Sequence, residues 1–296
     1  MPQHYILALD QGTTGSRALI FNKQGRIVCS AYKEFKQYYP KPGWVEHDAQ
    51  EIWRSMCYVI KEAVKTGRVD PKKIKAIGIT NQRETTVVWD RKTSKPVAPA
   101  IVWQCRRTES ICRSIRRHAS TFKRKTGLVV DPYFSGTKIK WLLDHIKGLR
   151  AKAKAGKVCF GTIDAWLIWK LTTGASHATD MTNASRTLIF NIRTKKWDTQ
   201  LCHILGIPKE ILPTVKNSGS IFGHTDVRAN DRLPLLPKGI PITAVLGDQQ
   251  AALYGQGCYE PGSVKNTYGT GCFIVLNTGK KFVSSKKGLL TTLVSD

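Results

Sequence analysis

Acidic side chains are scarce in this sequence. Lys and Arg number 47 against 21 Asp and Glu, a formal charge of +26. The excess is densest between Arg106 and Lys157, where fifteen basic residues meet three acidic ones, a net of +12. Such a field draws polyanions of many kinds, nucleic acid and acidic membrane surfaces included. Yet these basic residues recur at helical spacing beside Ile111, Ile115 and Phe122. No aromatic-interleaved platform accompanies them. A solvated helix face is therefore expected, with non-specific polyanion binding at most. A basic nucleic-acid-binding protein stands as an alternative reading.

Other absences narrow the field further. No run of 18 apolar residues occurs, which excludes a spanning helix. The N-terminus Met1-Pro2-Gln3-His4 enters a strand directly, without a charged segment and apolar stretch, so no secretory signal is expected. The eight cysteines lack paired metal spacing: Cys105 and Cys112 are too far apart for CxxC, and Cys29, Cys159 and Cys272 sit in apolar runs. They read as reduced, buried thiols of a cytoplasmic protein. Low-complexity segments and internal repeats are missing, and no Gly-Lys-Ser/Thr opens a helix, so a P-loop is excluded.

What is present suffices for a sizeable core: 296 residues, 41% of them hydrophobic, near the upper limit for one domain. The stretch Ile6 to Phe21 organises the chain. An apolar run ends in Asp10, turns through Gly12, Thr13, Thr14 and Gly15, and leaves in a second apolar run. This predicts a β-hairpin with its acid near the tip. Amides of the turn and the two hydroxyls suit phosphate oxygens. Asp10 suits a Mg²⁺ held through water, because Mg²⁺ takes hard oxygen ligands and keeps several waters. A plain glycine-rich turn fits the same spacing.

Further along, Arg26–Tyr32 reads as a third strand. Asp48 starts a helix, and Glu51 completes a capping-box pair. Ile52, Met56, Ile60 and Ala63 form the buried stripe, and Gly67 ends the helix. Ile74–Thr80 is a short strand that turns out through Asn81-Gln82-Arg83-Glu84-Thr85. Pro99–Gln104 delivers Trp103. Phe160–Leu171 reads as a helix or helix entry. Ile242–Leu246 is a buried strand leading through Gly247-Asp248-Gln249-Gln250 into a helix. A second Gly/Thr hairpin spans Gly262–Leu276 around Gly269-Thr270-Gly271. It repeats the chemistry of the first, and the pair could clamp a polyphosphate. A new domain is expected to begin near Gly257.

Ligands of open α/β sheets bind beyond the carboxyl ends of strands. Asp10, Arg83-Glu84, Trp103 and Asp248 each follow an apolar run, so convergence there is expected. An ionised Asp248 at a helix start could take a proton from a hydroxyl; it also fits a simple N-cap. Arg83 and Glu84 offer a donor fork and an acceptor pair for adjacent hydroxyls; they also fit a loop salt bridge. Trp103 and Phe273 could cover carbon faces, although aromatics also fill cores. Phosphoryl transfer needs positioning and charge neutralisation more than covalent participation.

With these motifs in order, the sequence resembles the FGGY carbohydrate kinases, and among them those that phosphorylate glycerol. The likeness covers essentially the whole chain. It rests on Leu9-Asp10-Gln11-Gly12-Thr13-Thr14, Asn81–Thr85, Trp103–Thr108, Tyr133–His145, Gly247–Ala252 and Lys265–Phe273. It implies an α/β fold of the ribonuclease H-like, actin-like ATPase type, with a mixed central sheet and flanking helices. Residues 1–256 would form the N-terminal polyol-binding domain, and 257–296 the incomplete start of a second such domain. It implies ATP-dependent conversion of glycerol to sn-glycerol 3-phosphate, with ATP and Mg²⁺. Asp248 would be the base; Arg83, Glu84, Tyr133 and Gln249 would hold hydroxyls; Trp103 and Phe273 would pack on the carbon chain. Thr13, Thr14, Gly15, Arg17 and Thr270 would bind nucleotide phosphates, and Asp10 would support the metal. Gly15 stands where family members often carry serine, which removes one hydroxyl contact. The family's later adenosine motif lies outside this chain, so activity is expected to need a complete second domain. A truncated remnant that keeps the polyol pocket is the competing expectation. A homo-oligomer is compatible with the resemblance.

Overall fold

The computed structural model describes residues 4–226, 236–269 and 271–294. Thr270, one of the expected phosphate contacts, lies outside the described residues.

The opening hairpin forms as its alternation predicts. Strands β1 (Tyr5–Gln11) and β2 (Gly15–Asn22) pair antiparallel, with Leu7, Leu9, Ala18 and Ile20 buried. Strand β3 (Ile27–Glu34) continues the meander on the far side of β2. Strand β4 (Ile74–Asn81) runs parallel to β1. A short β5 (Gly223–His224) and β6 (Pro241–Gly247) complete a six-stranded mixed sheet in the order β5-β6-β4-β1-β2-β3, with β6 parallel to β4.

Helix α1 (Ala49–Thr66) covers one face of β2 and β3 with the expected stripe of Ile52, Met56, Ile60 and Ala63, all fully buried. Its start differs from the predicted capping box. The Asp48 carboxylate accepts from the Gln50 amide at 2.8 Å, but Glu51 turns away to accept from the Lys36 amide at 3.1 Å and the Tyr38 hydroxyl at 3.3 Å. A bond to the preceding loop has replaced the reciprocal cap.

The helix expected within Phe160–Leu171 forms, but it starts later than Phe160. The run divides into a strand, Val158–Gly161, paired with Val87–Asp90, and helix α2 (Ile163–Leu171). Gly161 sits at the break, where a Cβ would lie 2.7 Å from Ala165 and 2.8 Å from the Trp89 ring, so the close packing there requires glycine.

The basic stretch forms short helices whose apolar partners Ile111, Ile115 and Phe122 are buried in a second core cluster. Arg113, Arg116, Arg117, Lys147, Lys152, Lys154 and Lys157 face solvent as expected. Lys138 does not. It is fully buried, and its ammonium donates to the carbonyls of Pro132 and Tyr133, both at 2.6 Å. Desolvation pulls its pKa down to about 7. The thiols of Cys112, Cys159 and Cys202 are pushed by burial to about 12, 11 and 12, which keeps them protonated and inert. The expected burial does not extend to every cysteine: Cys29 and Cys258 are half-buried, and Cys272, on the second hairpin, is exposed. Among the described residues no helix is long and apolar enough to cross a membrane.

Candidate active site

Three parallel strands set the geometry. Gln11 of β1, Asn81 of β4 and Gly247 of β6 are level in register, so β1, β4 and β6 finish at one edge of the sheet. Asp10, Arg83 and Asp248 are thereby delivered to one place, as strand-end reasoning predicts.

Helix α3 (Asp248–Gly255) begins directly at the edge. Asp248 is not its cap, because Gly247 holds that position. The Asp248 carboxylate instead forms an ion pair with Arg83 Nε at 3.1 Å and accepts from the Gln249 amide at 2.7 Å. Burial raises its pKa most; Arg83 opposes this, and Glu84 adds to it. Gly247 is required by close approach: a Cβ would fall 2.5 Å from Cδ of Arg83.

Arg83 and Glu84 do not pair with each other. Arg83 also donates to Gln250 Oε1 at 3.1 Å, and its guanidinium lies 5.7 Å from the Phe273 ring centre. Glu84 accepts from Arg186 Nε at 2.6 Å. Glu84 adopts φ +62°, a left-handed conformation that costs a non-glycine residue roughly 1–2 kcal/mol. Its carbonyl is anchored by the Ser135 hydroxyl at 2.9 Å. The turn thus points two neighbouring side chains into separate ion pairs. Backbone strain of this kind concentrates at functional sites.

An aromatic wall closes one side. Trp103 lies edge-on to Tyr133 at 5.7 Å and to Phe273 at 6.2 Å between ring centres. Arg186 sits over the Tyr133 ring at 5.4 Å. Burial, then the Glu84 charge, pushes the Tyr133 phenol up to about 12.

Trp103 also reaches the first hairpin. Its indole N–H donates to the Thr13 hydroxyl at 2.9 Å. The hairpin tip is braced from beneath, since Gln82 donates to the Gly12 carbonyl and the Gln11 side chain, both at 3.0 Å. Thr14 and Arg17 are exposed, and Asp10 is half-buried. Desolvation raises the Asp10 carboxyl; Arg17 lowers it, and Asp248 raises it again. Gly15 is explained by its neighbour: a Cβ would lie 2.5 Å from the Tyr32 hydroxyl. The glycine makes room for that ring, over which Arg17 lies at 5.4 Å.

The second hairpin, β7 (Val264–Tyr268) with β8 (Cys272–Leu276), forms as predicted. It carries Phe273 to the aromatic wall and Lys265 inward. Lys265, almost fully buried, donates to Gln249 Oε1 and to the Thr267 hydroxyl at 2.6 Å.

Sequence reasoning missed Arg186, Gln250 as a partner of Arg83, and the buried Lys265. No local pattern marks Arg186, whose role depends on Glu84 far away in the chain. Lys265 is legible only as a charge interrupting an alternating strand.

A mixed sheet with a Gly/Thr hairpin and an acid at a neighbouring strand end defines an actin-like ATPase domain. The chain belongs to the FGGY family of carbohydrate kinases, whose N-terminal domain matches residues 5–255. It is 56% identical to the glycerol kinase of Leptospira biflexa, over 98% of this chain and 58% of that one. It is 57% identical to the glycerol kinase of Carboxydothermus hydrogenoformans, over 99% of this chain and 58% of that one. The chain therefore spans well under two thirds of the length of these relatives. Among solved structures, Plasmodium falciparum glycerol kinase with ADP superposes with a TM-score of 0.92 at 38% identity, covering 99% of this chain and 58% of that one. A xylulose kinase from Lactobacillus acidophilus shares the fold, with a TM-score of 0.81 at 24% identity over 92% of this chain and 54% of that one.

Proposed function

We propose that this chain forms the polyol-binding part of an enzyme that phosphorylates glycerol with ATP. The observation that carries the reading is Asp248 held by Arg83 at a sheet edge beside the Trp103, Tyr133 and Phe273 rings. The glycerol kinase relatives support the choice of polyol. In this reading Asp248 takes the proton of the terminal hydroxyl, which is a poor nucleophile while it keeps that proton. Arg83, Glu84, Tyr133 and Gln249 hold hydroxyls, and Trp103 and Phe273 cover the carbon chain. Thr13, Thr14, the Gly15 backbone and Arg17 bind the nucleotide phosphates in this reading, with Thr270, outside the described residues, assigned the same role; the ADP-bound neighbour supports nucleotide use.

Asp10 fits a Mg²⁺ held through water. Its carboxyl is destabilised by burial and by Asp248, a pairing that a cation relieves. Among the described residues no cluster of three or more His, Cys, Asp or Glu could hold a metal. When bound, Mg²⁺ neutralises phosphate charge. We assign residues 257–296 to the start of a second domain, place the protein in the cytoplasm, and read its contacts with polyanions as non-specific.

The test is calorimetry with glycerol on this chain. Saturable binding that Arg83→Ala weakens strongly is expected. Binding unaffected by Arg83→Ala would sink the assignment.

A further inference from the structure

The segment 285–293 lies outside any helix or strand, yet it is tied to the body of the protein at several points. The Lys123 ammonium donates to the Ser285 carbonyl at 2.9 Å, and the Thr291 amide donates to the Gly127 carbonyl at 3.0 Å. Gly127, at φ +72°, leaves no room for a side chain there, since a Cβ would meet the Thr291 carbonyl oxygen at 2.6 Å. The Thr292 hydroxyl shares a 2.7 Å hydrogen bond with the Ser185 hydroxyl.

Two of these ties lead to the ion pairs of the site. Ser185 directly precedes Arg186, the partner of Glu84. Gln250 is buried, and its amide nitrogen donates to the Leu293 carbonyl at 3.1 Å and to the Thr292 hydroxyl at 3.3 Å. The other end of the same amide accepts from Arg83. Gln250 is therefore oriented at one end by the segment and spends its other end on Arg83. A buried amide with both ends engaged has no freedom to flip without leaving a polar group unsatisfied.

We propose that Thr292 and Gln250 are positioning residues: the segment 291–293 acts as a strap that sets the place of Arg83, and through it the geometry of the polyol site. The identity of the ligand rests on the reading above, whereas the strap itself does not. Substrate contacts would be made by Arg83. The strap would fix where its guanidinium fork points, and forks of this kind are sensitive to placement.

The experiment follows the Arg83 side-chain Nε–H resonance by ¹H–¹⁵N NMR, assigned with Arg83→Lys, in Thr292→Val and Gln250→Leu. Arg107, almost fully buried on Glu46 at 2.8 Å, serves as the reference signal. Glycerol affinity is measured by calorimetry on the same samples. The expected result is that the Arg83 resonance shifts and exchanges faster with water in both variants while Arg107 stays unchanged. Glycerol Kd should rise about five- to tenfold in Gln250→Leu and about two- to threefold in Thr292→Val, the scale of losing one buried hydrogen bond. Should Gln250→Leu fail to fold, Thr292→Val decides alone. An unmoved Arg83 resonance in a folded variant overturns the strap, whatever glycerol does. A resonance moved by Thr292→Val, which does not touch Arg83, in a chain that binds no glycerol upholds the strap and overturns the polyol reading instead.

Discussion

Arg83 and Arg186 each hold a carboxylate, and the two pairs differ in what surrounds the acid. Both guanidinium side chains are about 5% exposed. Glu84, the partner of Arg186, is 2% exposed, whereas the Asp248 side chain is 37% exposed. One pair is sealed and the other is open on its acidic side. A sealed pair holds its acid ionised and fixed, so Glu84 can accept a hydroxyl only at the oxygen that Arg186 leaves unused. An open pair keeps its cation fixed and leaves its carboxylate within reach of a hydroxyl. Desolvation still acts on Asp248, which is why its pKa rises despite Arg83. Burial thus separates an acid fixed by its ion pair from one that solvent reaches, at neighbouring points of one site.

The largest effect expected from this comparison is on turnover. Asp248→Asn keeps the shape and can keep the bond from the Gln249 backbone amide, but it removes the base. In a chimera that joins this chain to the remaining length of the Leptospira relative, kcat should fall about 10²–10⁴-fold, while glycerol still binds. A kcat within a few-fold of the parent, measured by steady-state kinetics, would remove Asp248 from the proton transfer.

Stability should show the opposite ranking. Arg186→Met leaves Glu84 charged, buried and alone, a change that costs about 3–5 kcal/mol. Arg83→Met leaves Asp248 able to take up water on its open side, so a loss of only about 1–2 kcal/mol is expected. Urea unfolding of both variants checks this. Equal losses would mean that the two pairs are equally sealed.

The pH profile sharpens the same contrast. A base whose pKa is raised must lose its proton at higher pH before it works. Activity of the chimera should therefore fall on the acid side, as pH drops through the raised Asp248 value. Because Arg83 lowers that value, Arg83→Met should move the acid limb to higher pH. An acid limb that moves to lower pH would contradict the direction of the Arg83 effect.

Much of this arrangement can be read in the sequence, and the unreadable part has a physical cause. The β1–β2 hairpin is legible because alternation and the Gly12–Gly15 turn are local signals. The meeting of Asp10, Arg83 and Asp248 is legible because each ends an apolar run, and parallel strand ends share an edge. Residues whose roles depend on distant partners are not legible. Arg186 finds Glu84 across 102 positions, and nothing around Asn183-Ala184-Ser185 marks it. Lys138 sits in a basic stretch and looks solvated until the 132–134 loop wraps its ammonium. Val158–Gly161 merges with the following helix because a continuous apolar run carries no period. Gly161-Thr162 was the available sign of the break.

The smallest effect concerns Trp103, which touches both sides of the cleft. Its ring stands beside Tyr133 and Phe273, and its indole N–H reaches the Thr13 hydroxyl of the expected phosphate turn. Trp103→Phe keeps an aromatic wall and removes only the hydrogen bond. That bond is partly exposed, so its loss should weaken glycerol binding by no more than about 0.5–1.5 kcal/mol. Trp103→Ala removes ring and bond together and should weaken binding further, by the apolar area it uncovers. Calorimetry on the two variants separates the contributions. If Trp103→Phe loses as much as Trp103→Ala, the indole N–H carries the effect. The Thr13 turn would then belong to the polyol pocket as well as to the phosphate side. If Trp103→Phe is neutral, the ring alone matters, and the first hairpin and the polyol wall act independently.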